Sequence, residues 1–489
     1  MSSDPIPAGY NTPVPSKILT PDRVESRLGA LEFSDGVPTA ETADRLFDNL
    51  DHMRAVEVFL NCIPAASMEA MRLGYAGVGA DACHKMLIMD GLLDSDAFFL
   101  TGNTDTVYCG GFLDLEQDGP TVVEIPPGCG PGTVNDAWFR FVIDMGGPGP
   151  DRGQGGKYLI LPPGYDGDVP DGYFVATSSS YSNWIILRGF LVDGEPYAST
   201  KMFKDGLKIY PLSQAANPPA MEFLSEIGDR FNTVHANDVQ FYDELAPVIQ
   251  REPIEMVDAE TRGLLASIGI HKDRPFAPDE RMQKILVDAA AVANATARSI
   301  AFRWRTDEAR IYDDRKWHTY FVSGDYQWLR DEGRGGRYLD ARTFFFYVAT
   351  VNTPAMALKI VGAGSQYAGV DVDADGNFFD GSKRYRLRLP ADVPAKNFWS
   401  ICVYDTQTRS ELQTGQPFPS LNNLRGSLQA NDDGSVDILF GPEEPAEMAT
   451  NWIQTVAGKG WFAALRLYGP LDAWFDQTWR PGDIELTDD

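Results

Sequence analysis

From residue 39 to residue 75 apolar side chains return every three or four positions, with Leu46, Leu50, Met53 and Val56 along one stripe. That period predicts a helix. Thr39 stands where an N-cap belongs, and Pro64, in IPAAS, predicts a kink or a break, because proline removes a backbone donor and crowds the preceding turn. Between residues 97 and 215 the pattern changes to short apolar or alternating runs: AFFL, TVVEIP, WFRFVIDM, KYLILPP, GYFVATSSS and NWIILRGFLV. Turns rich in Gly, Pro and Asp separate them, as in PPGCGPG and PPGYDGDVPDG. Such spacing predicts the strands of a β-sandwich. Helical spacing returns from 219 to 335, in PAMEFLSEIGDRFNTV, NDVQFYDELAPVI, DAETRGLLASIGI and the Ala-rich DERMQKILVDAAAVANATARSIAFR, and TFFFYVATV continues it. KRYRLRLP, FWSICVYD, VDILFG and GWFAALRLYGP then read as strands joined by long connections, which predicts a jelly-roll sandwich.

The expected chain is multidomain and mainly β with a helical middle. An extended N-terminal arm covers residues 1–38, and helices at 39–75 pack on the helical domain. A sandwich spans 76–215, the helical domain 216–340 and the jelly roll 341–489. No internal repeat is visible.

Composition narrows the function classes. The chain has 489 residues, 43% of them hydrophobic, enough for each domain to build its own core. A net charge of −28 repels phosphate backbones and argues against a nucleic-acid partner. No run reaches the roughly 18 to 20 apolar residues of a membrane helix, so no membrane partner is expected. The polar, Pro-rich start lacks the layout of a secretory signal, so the expected compartment is the cytoplasm. Cys62, Cys83, Cys109, Cys129 and Cys402 are odd in number and none sits at CxxC spacing, which predicts reduced thiols without a disulfide frame or zinc knuckle.

Most motifs of cofactor chemistry are missing. The five histidines fall in neither HExxH nor HxH spacing. GxSxG, GxGxxG and the P-loop are absent, which leaves nucleophile-elbow hydrolysis and nucleotide binding without support. One metal motif is present: Asp371, Asp373 and Asp375 precede Gly376 at the DxDxDG spacing of a calcium loop, with Ser382 where the bidentate Glu belongs. Asp-Gly turns of a β-hairpin explain the same residues more simply. Calcium is thus the only candidate cofactor.

Two other stretches concentrate chemistry. TGNTDTVY places Asn103, Asp105, Thr106 and Tyr108 ahead of a strand. They read either as a turn capped by Asn103 and Asp105 or as a general acid or base, Asp105, with polar partners. In the C-terminal part, period-two alternation puts Ser400, Cys402 and Tyr404 on one strand face, and Trp399, Ile401, Val403 and Asp405 on the other. Arg466 and Tyr468 likewise share a face, where Arg466 holds a ligand carboxylate or sugar hydroxyl, or pairs with an Asp to join the two sheets.

Together these stretches resemble a known pair, the domain of unknown function 1254 followed by the domain of unknown function 1214. The likeness is carried by DHMRAVEVFLNCIPAASMEAMR, GNTDTVY, GPTVVEIPP, GKYLILPPGY and WIILRGFLVDG, then by LLASIGIHKDRPFAPD, VDADGNFFDGSKRYRLRLP, PAKNFWSICVYD and GWFAALRLYGP, and spans about residues 25–489. It implies an immunoglobulin-like sandwich, a helical domain and a jelly roll. It also implies that Asn103, Asp105, Thr106 and Tyr108 form a family signature, with Arg188, Trp399, Tyr404, Asp405, Arg466 and Tyr468 at matching positions. Cys109 and the segment ARTFFFYVATVNTP depart from the family pattern.

The resulting expectation is an enzyme, a hydrolase or lyase for a small polar organic or sugar-derived substrate. Its pocket lies at the domain interface and works by carboxylate and tyrosine acid–base chemistry. Asp105, Tyr108 and Asp405 are the candidate catalytic residues, and Asn103, Thr106, Arg188, Trp399, Tyr404, Arg466 and Tyr468 the candidate binding residues. The alternative is a non-catalytic binding protein for a glycan or metabolite. Exposed sandwich edges make a homo-oligomer the expected assembly.

Overall fold

The computed structural model describes residues 8–225, 231–425 and 428–487. Its longest element is helix Ala40–Gly77, whose first turn is closed by the Thr39 hydroxyl accepting from Thr42 N at 3.2 Å. The helix runs through Pro64 without interruption. Every residue from Cys62 to Met71 is buried, so packing on all sides holds the turn that proline weakens. Helices Gln240–Arg251, Ala259–Ser267, Glu280–Phe302 and Leu339–Val348 surround it. Helix Glu280–Phe302 is long and apolar enough to cross a membrane by length and composition. Its face of Ala289, Ala290, Ala293, Ala297 and Ala301 is buried in the helical core.

Two pairs of sheets flank this hub. The first pair is a six-stranded sheet in the order Glu222–Ser225, Lys85–Ile88, Thr106–Asp114, Ser182–Phe190, Gly132–Asp136, Phe141–Met145, and a four-stranded sheet in the order Phe174–Thr177, Gly156–Leu161, Thr121–Ile125, Lys208–Pro211. The second pair joins a five-stranded sheet, His318–Thr319, Ser365–Val370, Trp461–Pro470, Ala395–Asp405, Ser420–Asn422, to a four-stranded one, Trp452–Gln454, Val436–Gly441, Tyr385–Leu389, Ile484–Leu486.

Alternation along the central strands decides what each face meets. In Thr106–Asp114 and Ser182–Phe190, Val107, Cys109, Ile185 and Leu187 enter the first sandwich core, whereas Tyr108, Trp184 and Ile186 turn to the helical hub. In Ala395–Asp405 and Trp461–Pro470, Trp399, Ile401, Val403, Leu465 and Leu467 fill the second sandwich core, whereas Cys402, Tyr404, Phe462 and Ala464 turn to the hub. Both large sheets are therefore buried on two faces, and their second faces look into one shared interior.

Several expectations are corrected. Helix and strand make up nearly equal shares of the chain, about 29% and 27%, so it is not mainly β. Residues 23–38 are not an extended arm: Arg23–Ser26, Gly29–Ser34 and Val37–Pro38 form a small antiparallel sheet. The helix expected over 219–234 is instead strand Glu222–Ser225, which completes the sheet edge beside Lys85–Ile88; residues 226–230 lie outside the described residues. AFFL makes a single bridge, Phe98 to Asn232, in place of a strand.

The calcium motif of Asp371, Asp373 and Asp375 folds as a turn, the simpler of the two readings. The Asp373 carboxylate accepts from the backbone N–H groups of Asp375 at 3.0 Å and Asn377 at 2.9 Å, and Gly376 takes the left-handed backbone (φ 86°) of a tight hairpin turn. Asp375 is exposed while Asp371 is buried. Among the described residues no group of three or more His, Cys, Asp or Glu side chains is placed to hold a metal. Burial pushes the Asp371 carboxyl up to about 7. Because this value lies above that of the unfolded chain, the stabilising protonated form is complete at acid pH and is lost as pH rises through about 7. Asp371→Asn is therefore expected to be more stable than the parent by about 2 to 3 kcal/mol at pH 8 and equal to it near pH 3.5. Urea unfolding of both proteins at the two pH values checks this.

Candidate functional site

The two large sheets each send one rung of polar side chains toward the other. In the first, Tyr108 pairs across the ladder with Arg188. In the second, Tyr367, Arg466 and Ser400 stand in register on three adjacent strands. Between the rungs lies a cavity lined by Asn103, Tyr108, Arg188, Tyr367 and Arg466 on its polar side. Phe99, Ile186, Phe345, Val351 and Met356 line its apolar side. With its open mouth it encloses about 530 Å³, of which about 40 Å³ admits the centre of a water molecule, so it suits a small ligand.

The TGNTDTVY segment is a turn before the strand and also a wall of this cavity. Asn103 Oδ1 accepts from Asp105 N at 2.9 Å and from the Thr106 hydroxyl at 3.1 Å, while its amide donates to the Tyr108 hydroxyl. Thr101 and Val351, both β-branched and both on the wall, have positive φ angles of 39° and 67°. Such conformations cost of order 1–3 kcal/mol each and persist only where the surroundings impose them.

Arg466 supplies part of that constraint. Its Nη2 donates to Thr101 O at 2.6 Å, Gly102 O at 3.0 Å and the Tyr404 hydroxyl at 2.5 Å, and Tyr404 donates to Gly102 O at 2.7 Å. Arg466 thus joins the two halves through carbonyls and a phenol; among the described residues no Asp pairs with it. Its Nε is buried without a partner. Arg188 lies with its guanidinium carbon 5.6 Å from the Tyr108 ring centroid. Both arginines are buried, and among the described residues neither has a carboxylate within 4.0 Å. None of the cavity's lining side chains is acidic. Burial raises the Tyr108 hydroxyl above its ordinary range despite the nearby arginines, so at neutral pH it is a proton donor.

The other predicted residues fall elsewhere. Asp105 is behind the cavity wall, fully buried where the two sandwiches meet, with Asn422 Nδ2 donating to it at 2.7 Å and the Cys402 thiol at 3.8 Å. Burial pushes its carboxyl up, against the opposing pull of Ser400, Asn422 and Arg466. Asp405 binds Lys459 and closes a turn by accepting from Gln407 N at 2.6 Å, outside the cavity. Trp399 belongs to the second sandwich core. Thr106 supports Asn103, Tyr404 braces Arg466, and Tyr468 stacks on Phe398 at 4.0 Å between centroids without lining the cavity. Sequence reasoning missed Tyr367, Asn422 and Val351. Only Val351 had a signal, as part of the unusual ARTFFFYVATVNTP, which also contributes Phe345, Ala349 and Thr350 to the wall.

The architecture is thus a two-sandwich chain with a helical hub and a cavity, polar on one side and apolar on the other, lined from both halves. Residues 85–211 match the family model of a protein of unknown function, DUF1254, and residues 364–472 match that of a second, DUF1214. The chain carries this DUF1254–DUF1214 pair, in that order. Asn103, Asp105, Tyr108 and Arg188 fall in the first matched region, and Tyr367, Asn422 and Arg466 in the second. The fold is similar to that of the VPA0106 protein of Vibrio parahaemolyticus, with a TM-score of 0.53 at 17% identity over 90% of this chain and 100% of that one. A more distant likeness is to an uncharacterised protein of Burkholderia cenocepacia, with a TM-score of 0.40 at 11% identity over 92% of this chain and 96% of that one. No curated protein matches the sequence.

Proposed function

We propose that the cavity binds a small organic anion, its charged group held between Arg188 and Arg466 and its carbon skeleton against Phe99, Ile186, Phe345 and Met356. The observation that carries this reading is a pair of buried guanidiniums facing one cavity with, among the described residues, no carboxylate within 4.0 Å of either, Asp105 and Asp144 acting on them only from farther off. A buried charge without a partner is unfavourable by several kcal/mol, and an entering carboxylate relieves it. Arginine forks suit a planar carboxylate.

A second reading adds turnover as a hydrolase or lyase. It is favoured by the Tyr108 hydroxyl, which stands in the cavity, held by Asn103 and kept protonated, where it serves as a general acid. In this reading the anion is substrate and Tyr108 the catalytic residue. Asp105 and Asp405 stand outside the cavity and have no direct part. We further infer that the N-terminal sandwich is immunoglobulin-like and the C-terminal one a jelly roll, supported by two facing sheets around a separate core in each. Five free, buried cysteines fit a reducing cytoplasm. The half-exposed Phe174 and Val175 on an edge strand suit pairing between copies.

Titration calorimetry with straight-chain monocarboxylates of two to six carbons, against their primary amides, tests the binding reading. At least one carboxylate is expected to bind one to one, with Arg188→Met weakening it tenfold or more. Equal binding of acid and amide, or binding unchanged in Arg188→Met, would overturn it.

A further inference from the structure

A second cleft opens on the other side of helix Leu339–Val348, and the proposed function does not use it. With its open mouth it encloses about 1090 Å³, of which about 330 Å³ admits the centre of a water molecule. Trp138, Phe139, Tyr326, Trp328 and Phe346 form its aromatic walls, and Arg140, Arg337 and Arg342 all face it. In a chain of net charge −28, three guanidiniums on one cleft need an explanation.

Among the described residues none of the three has a carboxylate as a hydrogen-bond partner, Glu57 acting on Arg342 and Asp325 on Arg337 only from farther off. Arg342 Nη2 donates to Asn61 Oδ1 at 2.5 Å, and its Nε is buried without a partner. Arg337 Nη1 donates to Gln327 O at 2.7 Å, and Arg140 Nη2 to Met256 O at 2.8 Å. The nearest ion pair is loose, Arg140 Nη1 to Asp136 Oδ2 at 3.8 Å, and that oxygen already accepts from the Ser179 hydroxyl at 2.6 Å. Asp258, on the cleft wall, caps its own helix by accepting from Thr261 N at 2.9 Å. Glu57 accepts from Asn61. Burial, then the like charges of Arg337 and Arg140, bring the Arg342 guanidinium down to about 10, against the opposing pull of Cys62 and Glu57. The walls are strained as well: Phe139 and Trp328 both take positive φ, each 54°. Bulky aromatic residues rarely adopt this backbone, and such strain concentrates at ligand sites. The buried Trp328 Nε1 and Asn352 Oδ1 are unpaired on the same cleft.

We propose that this cleft is a second binding site, taking a flat aromatic molecule that bears a carboxylate or phosphate group. The aromatic walls stack the ring while Arg342 at depth and Arg140 and Arg337 at the rim hold the oxyanion. The proposal is independent of the first cavity.

The test is calorimetric titration of the full chain at low ionic strength with benzoate and with phenyl phosphate, benzamide serving as the neutral probe. At least one anion is expected to bind, benzamide at least tenfold more weakly. Which anion binds decides between carboxylate and phosphate. In the Arg188→Met protein, where the first cavity is disabled, Arg342→Gln and Arg337→Gln are each expected to weaken this binding tenfold or more. Arg337 is exposed, so its variant decides the matter if Arg342→Gln does not fold. The proposal is overturned if neither anion binds the parent protein at millimolar concentration. It is also overturned if neither anion binds the Arg188→Met protein, or if binding there survives the added Arg337→Gln.

Discussion

Arg466→Met is expected to lower stability by about 4 to 5 kcal/mol and to abolish anion binding in the interdomain cavity. One guanidinium nitrogen bonds Thr101 O, Gly102 O and the Tyr404 hydroxyl. Charge-assisted hydrogen bonds contribute about 1.5–3 kcal/mol each, and their loss is less than additive because all three share one donor group. Methionine fills the volume but leaves two carbonyls from one sandwich facing an apolar side chain from the other. Thr101, held at positive φ, is then free to relax, so the wall that carries Asn103 and Tyr108 loses its fixed geometry. Arg466→Lys separates the two effects. Lysine keeps the charge without the fork, so it is expected to regain part of the stability and little of the affinity. Urea unfolding and calorimetry on the same samples measure both. A Met variant as stable as the parent, binding carboxylates as tightly, would show that Arg466 neither joins the sandwiches nor holds the ligand.

Much of this geometry was legible in the sequence wherever it depends on period. Alternation in FWSICVYD and GWFAALRLYGP placed Ser400, Cys402 and Tyr404 opposite Trp399, Ile401 and Val403, and put Arg466 with Tyr468, because strand geometry allows no other arrangement. The Asn103 turn was legible from local chemistry. What failed was non-local. Pro64 reads as a helix breaker in any window, and only burial from Cys62 to Met71 keeps the helix whole. Glu222–Ser225 lies in a stretch whose apolar spacing reads as helical but fills a sheet edge in space, and tertiary pairing overrides propensity. The partners of Asp105 come from strands about 300 residues away, and nothing local distinguishes a carboxylate bonded there from one that faces a cavity. The same holds for the convergence of Arg188 with Arg466, and of Arg140 with Arg337 and Arg342.

Asp105 gives the sharpest separation between structural and catalytic roles. Asp105→Ala is expected to destabilise the protein by about 3 to 4 kcal/mol, because it opens a void between the sandwiches and leaves the Asn422 amide without its acceptor. Asn422 also accepts from Leu424 N at 2.9 Å and Arg425 N at 2.7 Å, so losing its orientation loosens the adjoining turn. Asp105→Asn behaves differently. Its carbonyl still accepts from Asn422, and its amide faces the Cys402 thiol and the Ser400 hydroxyl, both of which accept. It also removes a buried charge. Since burial raises the Asp105 carboxyl in the folded state, the parent loses stability as pH rises through that raised value, and the Asn variant does not. Asp105→Asn is therefore expected to match the parent in acid, to exceed it in urea unfolding at pH 8.5, and to bind the cavity ligand within about threefold of parental affinity. If the variant instead folds and binds normally but loses a measurable turnover, with the alkaline or acid limb of the pH–rate profile gone, Asp105 takes part in the chemistry through the wall of the cavity. Tyr108 would then no longer suffice as the catalytic acid.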